Sequence, residues 1–144
     1  MPLHPNDSPG FLLWHATLRW QREITKALRP IDLTHVQFVL LASTWWLNSQ
    51  GRTPSQVELA SFAGTDVKMT STVIRGLERK GLLERRVDRA DARTFRLRVT
   101  RAGGRLAPRA IDVVEGVDHR FFGGVSDREL LRLLGRLASS PAPA

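Results

Sequence analysis

Arginine is the residue type through which this chain can do chemistry. Arg85, Arg86, Arg89, Arg93, Arg96, Arg98, Arg101 and Arg105 crowd into residues 85–105, where Asp88 and Asp91 are the only acids. Over residues 51–106, 13 Lys and Arg stand against 6 Asp and Glu, so this stretch holds +7 of the chain's formal +8. A basic stripe this local is the footprint of a face that binds a polyanion; the plainer reading is a solvated face that keeps the protein soluble. Just upstream, Lys68, Ser71, Thr72, Arg75 and Arg79 recur at helical spacing, opposite Val67, Thr70, Val73, Ile74 and Leu77. Glu78 is the only acid between Val67 and Lys80. Lys and Arg reach guanine acceptors or phosphates, and Ser and Thr reach bases or phosphates at shorter range. The outer face therefore suits a helix lying in the major groove of duplex DNA.

Other chemistries find no foothold. Cysteine is absent, which removes disulfides, thiolate zinc sites and thiol nucleophiles. His4, His15, His35 and His119 do not fall at a ligating spacing such as i, i+4. No metal and no cofactor are expected, the one alternative being a regulatory zinc site built across two chains. There is no Gly-rich phosphate loop, His-Glu-x-x-His helix or Gly-x-Ser-x-Gly elbow. The acids of the basic stretch read as helix caps or loop residues rather than paired carboxylates. The chain does not read as an enzyme. Trp14, His15, Leu18, Phe38, Trp45 and Trp46 could line a ligand pocket between helices, with core or subunit interface as the plainer assignment.

These residues need elements to carry them. At 144 residues and 42% hydrophobic content one domain is expected. The longest apolar run, Phe38–Ala42, is far short of the ~20 residues of a membrane helix, and the N-terminus lacks the basic and apolar regions of a leader. A cytoplasmic protein with no membrane partner is expected. Ser8-Pro9 opens a helix over about 9–29 with two apolar stripes, wide enough for more than one neighbour. Asp32 or Thr34 caps a second helix over about 34–48. Thr53-Pro54-Ser55-Gln56 has a capping-box pattern for a short helix over about 54–62. After the Gly64 turn, Thr65 or Asp66 caps the basic helix, which Gly81 stops. This is a helix-turn-helix arrangement. The period then changes to 2: Leu83/Arg85/Val87 and Phe95/Leu97/Val99 read as two half-buried strands joined by the charged 88–93 tip, a β-hairpin wing. Thr100 caps a long helix over about 101–122, Gly123-Gly124 breaks it, and Ser126 opens a Leu-rich helix ending near Ala138, before a tail that frays.

This order resembles the MarR family of winged-helix transcriptional regulators. Leu33-Thr34-His35-Val36-Gln37-Phe38-Val39-Leu40-Leu41 is similar to the family's second helix. Leu77-Glu78-Arg79-Lys80-Gly81-Leu82-Leu83 resembles the end of its recognition helix, and Asp88-Arg89-Ala90-Asp91-Ala92-Arg93 through Leu97-Arg98-Val99-Thr100 resembles its wing signature. The pattern departs at Ala90, where the family has the first wing arginine; Arg89 or Arg93 then takes the minor-groove contact, or the contact is weaker. The resemblance implies a fold that is mainly α with a small β-hairpin wing, a winged helix-turn-helix over 34–100 framed by dimerisation helices over 9–33 and 101–138. It further implies a homodimer on pseudo-palindromic DNA, a repressor released by small aromatic ligands bound between the dimer helices and the winged part.

The expected DNA contacts are Lys68, Ser71, Thr72, Arg75 and Arg79 on the helix and Arg86, Arg89, Arg93 and Arg96 on the wing. Arg93 could instead pair with Asp88 or Asp91. The alternatives are an architectural protein that binds nucleic acid without base readout, and a winged helix used as a protein-interaction module.

Overall fold

Most helices begin where a side chain satisfies the first free amides, the usual requirement of a helix N-terminus. The computed structural model describes residues 1–125 and 127–139, and gives α1 (Pro9–Leu28), α2 (His35–Ser49), α3 (Gln56–Ala63), α4 (Val67–Arg79), β1 (Leu83–Val87), β2 (Phe95–Val99), α5 (Arg101–Phe121) and α6 (Asp127–Ser139). Ser8 caps α1 and Asp66 caps α4. Thr34 and Gln37 exchange hydrogen bonds of 3.1 Å in a full capping box at α2, and Thr100 caps α5. The winged helix-turn-helix expected from the sequence is present, mainly helical with one two-stranded antiparallel hairpin.

The core is built around α2. Leu40, Leu41 and Leu47 of α2 are buried with Ile24 and Leu28 of α1, Leu59 of α3, Ile74 and Leu77 of α4, and Leu97 of β2. Each such side chain contributes about 1.5–3 kcal/mol of transfer free energy. Gly103, Ala107 and Ala110 form the buried face of the first half of α5, and such small residues permit a close approach. The hairpin is secured at its base from three sides. The Leu97 N–H donates to the Pro54 carbonyl at 2.9 Å, Asn48 bonds the Val99 N–H and the Leu97 carbonyl, and the Thr100 hydroxyl donates to the Gly81 carbonyl.

Three expectations are corrected. The cap of α3 is Ser55, not Thr53: Ser55 Oγ accepts from the Glu58 N–H at 3.2 Å, and Pro54 lies buried ahead of the helix with its carbonyl accepting the Leu97 N–H of β2. Val67 does not join the buried face of α4 but lies exposed at its first turn, ahead of the point where the helix meets the core. The strands pair Leu83 with Val99, Arg85 with Leu97 and Val87 with Phe95, yet only Leu83 and Leu97 are buried. Val87 and Phe95 are exposed because the tip projects past the core. The expected Ser126 cap and the tail beyond Ser139 lie outside the described residues. Among the described residues no helix is long and apolar enough to cross a membrane.

Apolar side chains stay uncovered on two of the described helices that frame the fold. Phe11, Leu12, Leu13 and Trp14 are exposed on the first turns of α1, and Leu131, Leu133, Leu134 and Leu137 are exposed on α6.

Candidate nucleic-acid interface

The turn between α3 and α4 sets the direction of the basic helix. Gly64 takes a left-handed φ of 73°, which glycine adopts without Cβ strain. Asp66 Oδ1 then accepts from the Lys68 and Met69 N–H groups at 2.8 and 3.4 Å. The buried Thr70 hydroxyl bonds the Asp66 carbonyl at 2.7 Å and lies 2.7 Å from the Thr65 hydroxyl. These bonds fix the first turn of α4, the end that enters a groove in helix-turn-helix proteins. With Thr70, Ile74 and Leu77 inward, Lys68, Thr72, Arg75 and Arg79 form one exposed row. Ser71, placed on that row by the sequence, is half-buried on its flank. Among the described residues Lys68, Arg75 and Arg79 make no ion pair. Their charge is available to a polyanion.

The far end of α4 is clamped to α2. Lys80 Nζ donates to the Asp32 carbonyl and to Gln37 Oε1, and a Cβ on Gly76 would stand 3.3 Å from Gln37 Nε2. The unusual glycine in this helix thus marks its crossing over the start of α2.

The wing tip is shaped by its two aspartates. Asp88 Oδ1 accepts from the Ala90 N–H at 2.9 Å. Asp91 Oδ1 accepts from the Arg93 N–H at 3.0 Å, and its other oxygen from the Thr94 hydroxyl at 3.3 Å. Neither aspartate uses the side chain at position 90, so alanine there leaves the loop geometry intact. The wing arginines divide into two sets. Arg89 is exposed and has no ion-pair partner among the described residues. Arg93, with a side chain 97% exposed, has only a 3.9 Å approach to Asp91. Arg86 is exposed but pairs with Glu84 at 2.8 Å.

Arg96 is taken up within the chain. Its Nε donates to Asp88 Oδ2 at 3.0 Å, and its Nη1 to Glu58 Oε1 at 2.8 Å and to the Thr53 carbonyl at 3.2 Å. The Glu58 and Asp88 carboxylates hold the guanidinium protonated beyond its ordinary range. The Ala90 N–H, followed by Arg96, holds the Asp88 carboxyl below its ordinary value. On the other face Arg85 Nε lies 2.9 Å from Glu78 Oε1, an ion pair outside hydrogen-bonding angles, and its guanidinium covers Phe95. Nothing in the local sequence pairs residue 58 with residue 96. Only the return of β2 past α3 brings them together.

Arg96→Ala is expected to weaken binding to every duplex by the same factor and to speed amide exchange in residues 88–94, while leaving base preference unchanged. Hydrogen exchange with parallel binding isotherms measures both. A change in base preference would make Arg96 a reader of sequence.

The six residues expected around a ligand pocket do not gather. Trp14 and His15 are exposed on α1, Trp46 stacks on Phe62 at 5.8 Å on the outside of α2 and α3, and Phe38 and Trp45 pack against the core. Helical spacing cannot separate a pocket aromatic from a core or interface one. Leu18 borders a groove with Gln21, Arg22, Thr25 and Arg29. A different cleft of about 480 Å³ runs between α1, α2 and the end of α3, bordered by Gln21, Thr25, His35, Val39 and Thr65.

His35 sits at the edge of this cleft, its ring 5.1 Å edge-on to Trp20, whose Nε1–H donates to Asp118 Oδ1 at 2.7 Å. Burial lowers the His35 pKa from 6.5, opposed by the Asp118 charge. A folded-state pKa below the unfolded value means that the unfolded chain binds the proton more readily. The stability contribution is therefore complete above 6.5 and is lost as pH falls through that value toward the folded one. Denaturation midpoints are expected to fall from about pH 7 to about pH 5 and to fall less in His35→Gln; identical pH profiles would contradict this.

The profile of the MarR family matches residues 33–95, from two residues before α2 to the first residue of β2. The chain is 47% identical over 125 residues to an HTH-type transcriptional regulator, YdcH, of Bacillus subtilis, covering 87% of this chain and 85% of the relative. It is 33% identical over 138 residues to an HTH-type transcriptional repressor of Mycobacterium tuberculosis, covering 93% and 96%. The fold superimposes on BpsR of Bordetella bronchiseptica with a TM-score of 0.86 at 26% identity, covering 98% and 100% of the two chains. That structure concerns regulation of BpsR's DNA binding by 6-hydroxynicotinic acid.

Proposed function

This chain belongs to the MarR family of DNA-binding transcriptional regulators, and from that premise we propose that it is a homodimeric, ligand-responsive repressor of a pseudo-palindromic operator. The observation that carries the proposal is the exposed row Lys68, Thr72, Arg75 and Arg79, whose three cations have no ion-pair partner among the described residues, on a helix clamped at both ends. In this reading α4 lies in the major groove with Ser71 at its flank, and Arg89 and Arg93 reach the adjacent minor groove, where a narrow groove concentrates negative potential. Arg86 contacts phosphate in exchange for Glu84. Arg96 positions the wing.

The homodimer is supported by the uncovered leucines of α6 and the uncovered aromatics of α1. A single chain leaves them in water, whereas a second copy would bury both sets. The double variant Leu131→Glu, Leu134→Glu is expected to sediment as a monomer and to lose operator binding, because a monomer holds one half-site only. A dimer of unchanged mass would contradict this arrangement. The effector reading rests on the cleft beside His35 and on BpsR, whose DNA binding responds to 6-hydroxynicotinic acid.

The direct test of the whole reading is competition between selected and random duplexes. Preference for the selected sequence is expected. Equal competition would put an architectural, non-specific protein in its place.

A further inference from the structure

The apolar face of α4 holds the helix on the core but does not set its angle. Burial of Ile74 and Leu77 is non-directional. At the crossing with α2 the helix carries Gly76, which has no side chain to key the contact; a Cβ there would stand 3.3 Å from Gln37 Nε2. Direction is supplied one residue past the helix, at Lys80. Its Nζ donates to the Asp32 carbonyl and, at 2.8 Å, to Gln37 Oε1, and lies 3.6 Å from the Asp32 carboxylate. Both acceptors are themselves fixed. Asp32 has a left-handed φ of 56° and follows the 3₁₀ turn Arg29–Ile31, through which the chain passes from α1 toward α2, its N–H donating to the Arg29 carbonyl at 3.0 Å. Gln37 Oε1 also accepts the Thr34 N–H at 3.1 Å, so one oxygen serves both the start of α2 and the lysine.

We propose that Lys80 is a positioning residue for operator spacing: its latch on Asp32 and Gln37 sets the angle of α4 against the joint between α1 and α2. This role rests on the dimeric reading above, in which the frame helices hold two recognition helices at one separation. From Lys68 to Arg79 the helix is about 17 Å long at 1.5 Å per residue. A tilt of about 10° at the latched end moves the other end by about 3 Å, close to the ~3.4 Å rise of one base pair. A small angular freedom at Lys80 is therefore enough to shift a half-site by one step. Lys80 itself reads no base, because its ammonium is engaged at the joint and stands apart from the outward row.

The test compares the full-length protein with Lys80→Met and Lys80→Arg on three duplexes: an operator selected from a random pool, the same operator with one base pair inserted at its centre, and the same operator with one base pair substituted in a half-site. Both changes are expected to weaken binding of the unaltered protein. In Lys80→Met the penalty for the insertion is expected to shrink about tenfold, the scale of one charge-assisted hydrogen bond, while the penalty for the substitution stays. Lys80→Arg is expected to keep most of the insertion penalty, since a guanidinium can also donate to both oxygens. A lysine that only stabilised the fold would weaken all three duplexes by one factor and leave both penalties intact, and that result would overturn the proposal. Loss of both penalties together would also overturn it, because Lys80 would then act on base reading. Hydrogen exchange of the DNA-free protein tests the latch apart from the operator: faster exchange is expected in Lys80→Met at the bonded amides of residues 32–34 and 80–82, and unchanged exchange would refute the latch. Faster exchange without any insertion penalty in the unaltered protein would instead contradict the paired half-sites, and the spacing role with them.

Discussion

Arg75→Ala is expected to flatten the base preference of this protein at one position in each half-site, by about 1–3 kcal/mol, the discrimination supplied by a good bidentate arginine contact. Arg75 lies on the exposed row of α4 and has no ion-pair partner among the described residues, so its removal leaves no buried group unpaired. An exposed substitution of this kind changes stability by no more than about 0.5 kcal/mol, and the loss falls on recognition. Competition binding against a panel of single-base operator variants measures it. Affinity should fall most on the preferred sequence and little on sequences altered at the contacted base pair. An equal fall on every duplex would show that Arg75 touches phosphate only.

Gly103→Ala is expected to damage the fold itself. Gly103 lies in the first turn of α5, and a Cβ there would overlap the backbone carbonyl oxygen of Leu82 and stand 3.0 Å from its carbonyl carbon. That carbonyl accepts the Thr100 N–H at 3.0 Å, so it cannot withdraw without breaking the joint between the wing and α5. Alanine gains about 0.8–1 kcal/mol of helix propensity over glycine. Overpacking against backbone costs about 1–3 kcal/mol or more, and here the obstructing atoms have no rotamer to escape into, so the cost prevails. A lower denaturation midpoint is expected. The neighbouring Gly104→Ala provides the control, since its Cβ would meet only Val99 Cγ2 at an ordinary 3.8 Å and should be neutral or stabilising by up to about 1 kcal/mol. Equal midpoints for the two variants would contradict the close approach of α5 to Leu82.

These two residues mark the division between what the chain declares locally and what only its folding reveals. The outward row of α4 is legible because helical periodicity sorts Thr70, Ile74 and Leu77 from Lys68, Thr72, Arg75 and Arg79 without knowledge of any other element. The caps at Ser8 and Thr100 are legible for the same reason, whereas the sequence leaves Asp32 beside Thr34 and Thr65 beside Asp66 as candidates, and only the fold selects Thr34 and Asp66. Gly103 is not, because the obstacle it avoids belongs to Leu82, across the wing. The Thr53 carbonyl, Glu58, Asp88 and Arg96 form one bracket drawn from three segments, and the basic count around residue 96 conceals that this guanidinium is already engaged. Spacing alone does not sort the aromatics. Trp45 and Trp46 are adjacent in sequence, yet one packs against the core and the other stacks outside on Phe62, since consecutive helical residues point about 100° apart.

In the proposed dimer two copies of α4 and its wing read DNA together. Footprinting on an operator selected from a random pool tests it most directly. Two protected half-sites are expected, related by a two-fold axis and centred about 10–10.5 bp apart or a multiple of that, one helical turn, with cleavage changes in the flanking minor grooves that disappear in an Arg89→Ala, Arg93→Ala variant. Protection of a single isolated half-site, or uniform protection without register, would contradict it.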